Sequence, residues 1–467
     1  MLALALSAAV YAAVPGGSID DFIDREMPVS GAPGLAYAVV ADGEVTMVGA
    51  RGVVERGADE EVTPDTPFLL GSISKSFTAL AVMQLVEAGA VDLDGEVSRY
   101  LDVFEGQPAG SITIRQLLSH TSGYSTLQGN TPHADSSDDA DELARWVAEV
   151  AREGPGHGPT WEYSNTNYQI LGRVIEVVSG QGYEAYVEAN ILEPIGMTHS
   201  FVADGEVHEA MATGHRPWFW TKRPLGHGRL KRGTAPQGGI VASAGDLGLY
   251  MQVMLNGEDD VLSAEGKAAM MRPASEASPY YGLGWYLNPD GESVWHSGAT
   301  PGFETLATMV PAQREGVAVL VNAGSGTGFQ ESTQLRNGIT ARAIGLDYDG
   351  EGGRWSPKAL FIALTLTPIV FLLSMVWAWR ERDAIRAKSG VFGLFSLWFP
   401  LLTTLGLAIS VFWLVPALFG VPIATIRVFQ PDFGLVLIAS AVTGPMWAVF
   451  RLGVAYSRNG GSPRSGS

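Results

Sequence analysis

Two residues in this chain have the types and the spacing that acyl-transfer chemistry needs. Ser72 and Lys75 lie three positions apart, so a helix that begins here places both side chains on one face. A serine hydroxyl becomes a nucleophile when a base lies beside it, and a partly desolvated lysine amine can be that base. Ser-x-x-Lys is a known signature of such chemistry. The alternative is a serine that caps the helix, followed by an exposed lysine.

The same chemistry needs further groups, and two later stretches contain residues of suitable types. Tyr163 and Asn165 lie in a Tyr-Ser-Asn triplet between a Gly/Pro loop and a predicted helix. His296 begins a His-Ser-Gly triplet at the end of a predicted strand. Each has an alternative: Tyr163 as a core aromatic, Asn165 as a helix N-cap, and His296 as a buried histidine bonded to backbone. No Gly-x-Ser-x-Gly occurs in the chain, which argues against a nucleophile-elbow hydrolase.

The hydrophobic pattern around these residues predicts an α+β fold. A hairpin is predicted from Ala41-Asp42-Gly43 between two alternating runs. Predicted strands lie at 34–40, 44–49, 66–70, 282–287, 293–295, 303–310 and 317–321. Predicted helices lie at 18–26, 77–87, 113–119, 142–151, 166–178, 183–192 and 329–344. We therefore expect one antiparallel sheet flanked by helices, while residues 204–235 give mixed signals.

Three apolar runs near the end of the chain are long enough to cross a bilayer. They lie at 359–379, 391–419 and 433–454, after a linker at 348–358. The loop between the first two runs contains four basic residues, Arg380, Arg382, Arg386 and Lys388. The positive-inside rule places this loop and the C-terminal tail in the cytoplasm, and residues 1–357 outside it. We expect a multi-pass protein of the cell membrane with lipid as a partner.

The first 14 residues resemble a secretory signal peptide. They are apolar and rich in alanine, and Val10-Tyr11-Ala12 could be a cleavage site. A basic leader is missing, so a helix packed on the domain is the alternative. An extracytoplasmic domain agrees with the signal-peptide interpretation.

Charge is distributed unevenly along the chain. Of the 30 basic and 49 acidic residues, positions 358–467 hold nine and three, which leaves 21 and 46 in positions 1–357, a net charge of −25. Such a surface repels nucleic acid, so no nucleic-acid partner is expected. A halophilic source or a GC-rich genome would each favour this composition. There are no cysteines and the histidines lack ligand spacing, so we expect no metal and no cofactor.

Taken in order, the Ser-x-x-Lys, Tyr-x-Asn and His-x-Gly motifs resemble the class C β-lactamase and penicillin-binding-protein-like serine hydrolase family. Two neighbouring stretches agree, Gln116-Leu117-Leu118-Ser119-His120-Thr121-Ser122-Gly123 and Gly282-Leu283-Gly284-Trp285. The resemblance covers about residues 18–347 and excludes the three apolar runs. It implies an all-helical domain beside the sheet, an acyl-enzyme intermediate, and a small-molecule or peptide-like ester or amide substrate.

The resemblance also implies roles for the motif residues. Ser72 is the nucleophile, and Lys75 shares the proton transfer with Tyr163, so that either of the two is the acylation base. Asn165 would hold Lys75 and a substrate amide. The oxyanion hole would consist of the backbone N–H groups of Ser72 and Ala299.

Two substrate contacts follow from the resemblance, and one of them departs from the family pattern. Gln128 falls near the position of a substrate-binding glutamine. His296 stands where penicillin-recognising members usually have lysine, and histidine is mostly neutral at pH 7. The departure weakens a β-lactamase or carboxypeptidase function and favours the esterase-like and aminopeptidase-like members.

Another class of function stays open at this point. Three apolar runs, where one would anchor the chain, suit a ligand-binding sensor or scaffold of the same fold. The intact set of motif residues favours the hydrolase. A transporter is disfavoured because the apolar stretches 359–379, 391–419 and 433–450 carry no charged residue.

Overall fold

The computed structural model describes residues 18–131, 139–226, 228–289, 291–326, 331–346, 348 and 355–457. The signal-peptide prediction for residues 1–14 lies outside this range, and so does most of the predicted linker at 348–358.

A six-stranded antiparallel sheet organises the first part of the chain. In spatial order its strands are Glu44–Gly52, Gly34–Ala41, Glu315–Val321, Phe303–Val310, Val294–Thr300 and Tyr286–Leu287. Alternate side chains of Gly34–Ala41 enter two different cores, since Leu35 and Tyr37 pack on one face and Ala36 and Ala38 on the other. The central strands are therefore buried on both sides, with helices on each.

Helices from the two ends of the sheet-forming region cover one face of the sheet. Ile19–Ser30 packs beside Glu331–Ala343, where the absence of a side chain at Gly338 admits the ring of Phe22. The other face is covered by a larger helical region. Its helices are Ser74–Glu87, Ile114–Leu118, Thr126–Asn130, Glu142–Glu153, Asn165–Ser179, Tyr183–Val187, Glu193–Ile195, Ala235–Gly238, Ala244–Leu255 and Ala264–Met270. The predicted α+β class and helical domain are thus confirmed.

The strand predictions are right in order but several bounds differ. The predicted strand at 66–70 is reduced to Phe68–Leu69, which forms a small sheet with Ile240–Ala242 and Phe201–Val202. The predicted strand at 282–287 is reduced to Tyr286–Leu287. The unplaced stretch 204–235 contains the hairpin His215–Trp218 and Thr221–Pro224.

Ser72 lies at a junction between the sheet and the helical region. A short 3₁₀ turn, Gly71–Ile73, leads directly into the helix Ser74–Glu87. The turn abuts strand Val294–Thr300 so closely that a Cβ on Gly298 would lie 1.8 Å from the carbonyl oxygen of Leu70. The His-Ser-Gly triplet lies inside this strand. Its glycine permits the close contact with the Gly71–Ile73 turn.

The last part of the chain consists of helices that are apolar and mostly exposed. Each of the three predicted spans falls within a helix of sufficient length and hydropathy to cross a membrane: Lys358–Arg380, Gly390–Phe419 and Pro431–Tyr456. The short helices Arg382–Arg386 and Ile423–Phe429 lie between them. Arg451, near the end of the third helix, is buried and donates to the carbonyl oxygen of Ser396.

Candidate active site

The amine of Lys75 is fully buried and has three oxygen neighbours. Its Nζ lies 3.1 Å from Ser72 Oγ, 2.8 Å from Asn165 Oδ1 and 2.8 Å from the carbonyl oxygen of Gln237. Ser72 and Lys75 share one side of the turn and helix that begin at Gly71, as their spacing predicts. Asn165 begins the helix Asn165–Ser179, which brings it in from the helical region.

Burial also determines the charge of this amine. Desolvation lowers the pKa of Lys75 well below its usual value, and among the described residues no acid forms an ion pair with it. A neutral amine has two N–H groups and one lone pair. If the N–H groups bond to Asn165 and Gln237, the lone pair faces the Ser72 hydroxyl, which is the arrangement a general base requires.

Tyr163 lies beside Ser72 and Lys75. Its ring centroid is 4.9 Å from Lys75 Nζ. Burial raises the pKa of Tyr163 far above its usual value, and the nearby Ser72 side chain only partly offsets this. The side chain is therefore a neutral phenol, suited to donating a proton.

His296 lies behind Tyr163 and away from the open part of the site. It is 1 % exposed, its Nδ1 donates to the carbonyl oxygen of Ser297 at 2.9 Å, and its Nε2 is 3.2 Å from the Tyr281 hydroxyl. Burial, with the nearby Lys75 amine, lowers the pKa of His296 to about 3. The structure corresponds to the alternative of a buried, backbone-bonded histidine, so the side chain is not placed to contact substrate and carries no charge for a carboxylate.

The predicted oxyanion-hole residues lie side by side. Ser72 and Ala299 both line the same cavity. Between them, Gly71 adopts a positive φ of 59°, and a Cβ there would lie 2.9 Å from the Ala299 nitrogen. The close approach of the two segments allows both backbone N–H groups to serve one substrate oxygen.

Gln128 is not brought to this site. Its Oε1 accepts from the backbone N–H and the hydroxyl of Ser125, and its Nε2 donates to the carbonyl oxygen of Gly154. The side chain thus caps its own short helix, which is why a polar residue is needed there.

Asn130, two residues further on, occupies the cavity wall. Its Oδ1 accepts from Asn165 Nδ2 at 3.1 Å, and its Nδ2 donates to the carbonyl oxygen of Gly420 at 2.8 Å. This pairing turns the amide oxygen of Asn165 toward Lys75. Sequence reasoning missed Asn130, because an asparagine at the end of a short helix is an ordinary capping residue.

His120 packs against the Tyr-Ser-Asn segment and hydrogen-bonds to it. Its Nδ1 accepts from the backbone N–H of Ser164 and from Asn167 Nδ2, and its ring centroid lies 4.4 Å from that of Tyr163. It is fully buried, has a positive φ of 59°, and its pKa is lowered well below the usual value by desolvation. We infer that His120 is a neutral positioning residue.

The candidate catalytic groups open into a cavity of about 1430 Å³. Ser72, Tyr163, Asn165 and Ala299 all line it, whereas His296 and Gln128 do not. Within the described part of the chain, no group of three or more His, Asp or Glu side chains is arranged to hold a metal ion. The chemistry available here is that of a serine hydroxyl between an amine and a phenol.

Comparisons with known proteins agree on the family of the first part of the chain. A family profile described as Beta-lactamase matches residues 19–340. Penicillin-binding protein 4 of Amycolatopsis lactamdurans is 32% identical over 323 residues, which cover 64% of this chain and 82% of that protein. Protein flp of Staphylococcus aureus is 27% identical over 316 residues, 66% of this chain, and the match spans only 63% of the length of that relative.

Two solved structures have similar folds. The octameric penicillin-binding protein homologue from Pyrococcus abyssi is 27% identical, with a TM-score of 0.62 over 71% of this chain and 78% of that one. The D-amino acid amidase from Ochrobactrum anthropi SV3 is 23% identical, with a TM-score of 0.59 over 70% of this chain and 97% of that one. The similarity to the amidase concerns the fold alone.

The contacts of Asn130 predict that it positions Asn165 for catalysis. Asn130→Ala removes the acceptor for Asn165 Nδ2, so we expect kcat for p-nitrophenyl acetate to fall about 10- to 100-fold. Asn130→Asp keeps that acceptor and should retain more activity than the alanine variant. Thr131→Ala is the control, because its hydroxyl is exposed and donates to the carbonyl oxygen of Leu127. Unchanged kcat in Asn130→Ala would contradict the role.

Proposed function

This chain belongs to the Beta-lactamase family, and from that premise we propose that it is a membrane-anchored serine hydrolase. It cleaves an ester or amide through an acyl-enzyme on Ser72. The observation that carries the proposal is the Ser72 hydroxyl bonded to the buried Lys75 amine, with the neutral Tyr163 phenol beside them.

Acylation begins with attack of Ser72 Oγ on the substrate carbonyl carbon. The hydroxyl proton passes to the lone pair of Lys75, whose lowered pKa supports its role as the acylation base. Negative charge develops on the carbonyl oxygen, next to the backbone N–H groups of Ser72 and Ala299. The sequence left Lys75 and Tyr163 as equal choices for the base, and their opposite pKa shifts favour Lys75.

Collapse of the tetrahedral intermediate needs a proton on the leaving group. Tyr163 delivers it and regains one from the Lys75 ammonium, to which it is adjacent. The bond from carbonyl carbon to leaving oxygen or nitrogen breaks as the new Ser72 ester is completed. Water then attacks this ester, and Lys75 again accepts a proton. The bond from the carbonyl carbon to Ser72 Oγ breaks, the Lys75 ammonium returns its proton to Oγ, and the free acid is released.

The residue at position 296 differs from the one that penicillin-recognising enzymes usually have there. His296 is buried and neutral, so it offers no cation to a substrate carboxylate. This supports an ester or amide that is recognised without a carboxylate contact at position 296. Asn165, whose amide group lines the cavity, remains the proposed contact for a substrate amide.

The three long apolar helices support membrane anchoring. We place the loop at 380–388 and the C-terminal tail in the cytoplasm and the hydrolase outside, because the basic residues are concentrated in that loop.

Labelling with a fluorophosphonate tests the nucleophile. Wild-type protein should become labelled, and Ser72→Ala should lose the label and the turnover of p-nitrophenyl acetate. Ser76→Ala is the matched control one turn along, since its hydroxyl donates to the carbonyl oxygen of Ile73. Equal labelling of wild type and Ser72→Ala would refute the proposal and leave the ligand-binding scaffold as the alternative.

The lowered pKa of Lys75 predicts the pH dependence. The base must be neutral, so kcat/KM should decrease as the pH falls below the pKa of Lys75, by about tenfold per pH unit. This acid limb of the pH profile should lie well below pH 10.5. Lys75→Arg replaces the neutral amine with a permanent cation and removes the base, so it should reduce kcat at least about 100-fold at every pH. An acid limb that is unchanged in Lys75→Arg would assign the titration to another group.

The absence of cysteine from the sequence makes the orientation testable. In intact cells a membrane-impermeant maleimide should label Glu258→Cys, on the exposed surface of the hydrolase, but not Ala384→Cys in the loop at 380–388. Ala384→Cys should react only after the cells are permeabilised. The reverse pattern would invert the proposed orientation.

A further inference from the structure

The cavity beside Ser72 is closed on its far side by the apolar C-terminal helices. Its near wall includes Ser72 and Tyr163. Its far wall contains mostly aliphatic and aromatic side chains, among them Leu360, Leu364, Val415, Phe419, Ile426 and Phe433. The helices that could cross a membrane therefore form part of the space into which the nucleophile opens.

Specific polar contacts hold the hydrolase and the helices together around this space. Arg216 Nη1 donates to the carbonyl oxygen of Val428 at 3.0 Å, and the N–H of Phe219 donates to Asp432 at 2.9 Å. At the other edge, Thr425 Oγ1 donates to the carbonyl oxygen of Asn130 at 2.9 Å. With bonded contacts on two edges, the cavity is a defined feature of the fold.

The dimensions of the cavity exceed what a small polar substrate needs. Its volume of about 1430 Å³ is above the range of about 300–1,000 Å³ common for small-molecule sites. Leu364 lies six residues, or about 9 Å along the helix, past Lys358, where the apolar span begins. One end of the cavity is thus at the catalytic serine and the other reaches alongside the membrane-spanning part of the helix.

We propose that the substrate is an amphiphile with a long alkyl or acyl chain. Its ester or amide carbonyl lies at Ser72, and its chain lies in the cavity against the far wall formed by the helices. The polar side chains of the cavity come largely from the hydrolase, among them Asn130, Asn165 and Gln237, and would face the polar end. This inference rests on the proposed serine hydrolase function and adds the substrate class to it.

The apolar far wall is the reason for choosing an amphiphile over a soluble peptide. A solvated peptide end would have to displace water from these side chains without filling the space with apolar atoms. An alkyl chain buries the same surface favourably, and a bilayer delivers such chains at the depth where the wall lies.

The test uses the full chain in lipid nanodiscs and two series of esters. The first consists of p-nitrophenyl esters from acetate to decanoate, which place the chain on the acyl side. The second consists of acetate esters of alcohols from ethanol to decanol, which place it on the leaving group. Leu364→Trp fills the far end of the cavity. Leu366→Trp is the control, on the opposite side of the same helix and 49 % exposed.

We expect kcat/KM to rise with chain length in at least one series. Leu364→Trp should then lower the ratio of kcat/KM for the longest ester to kcat/KM for the shortest about tenfold or more. This is the effect expected when an apolar pocket can no longer accept one or more methylene groups. Leu366→Trp should keep the wild-type ratio. Because both variants take up esters from the same bilayer, partitioning of the long esters cancels in this comparison.

The two levels of proposal fail in different ways. If Ser72→Ala retains turnover, the serine hydrolase function is wrong. If turnover depends on Ser72 but the ratios of wild type, Leu364→Trp and Leu366→Trp are equal in both series, the hydrolase stands and the amphiphile inference is overturned.

Discussion

Burial of a primary amine is the constraint on which the site depends. Lys75 has no exposed surface, and its Nζ contacts one hydroxyl and two carbonyl-type oxygens. The rings of Tyr163 and Tyr168 lie 4.9 and 5.6 Å from it and exclude solvent. A charged amine in such surroundings would cost much solvation free energy, so the neutral form is favoured. The same dryness raises the pKa of Tyr163 and thereby separates the roles of base and acid.

To bury Lys75 in this way, several backbone segments must approach one another more closely than side chains normally allow. A Cβ at Gly298 would collide with the carbonyl oxygen of Leu70, and a Cβ at Gly129 would lie 2.4 Å from the nitrogen of Asn165. Two glycines from distant parts of the chain thus bring the strand and the short helix against the nucleophile's turn and the Lys75 partner. Their role is steric, and neither takes part in the chemistry.

The side chain of Asn130 connects the C-terminal helices to this arrangement. Asn130 bonds to Asn165 on one side and to the carbonyl oxygen of Gly420 on the other, so the loop between the second and third long helices lies one residue away from the Lys75 partner. An anchor alone would not need such a contact. The helices complete both the support of the site and the wall of its cavity.

The sequence by itself determined the features that depend on local pattern. Strand alternation, helix periodicity and three apolar runs predicted the α+β class and the long helices, and motif spacing identified Ser72, Lys75, Tyr163 and Asn165. The lengths of the strands at 68–69 and 286–287 were overestimated, because apolar runs beside glycine also occur in buried irregular backbone. Local pattern is sufficient wherever a residue's role follows from its own helix or strand.

Only the tertiary structure decided the rest. It determined that His296 is buried and neutral, that Gln128 caps its own helix, that Gln237 and Asn130 join the site, and that the cavity ends at the long apolar helices. Each of these depends on contacts between segments far apart in sequence, and on the solvent that those contacts exclude. Burial sets the pKa values and the shape of the cavity, and neither is encoded in the spacing of a motif.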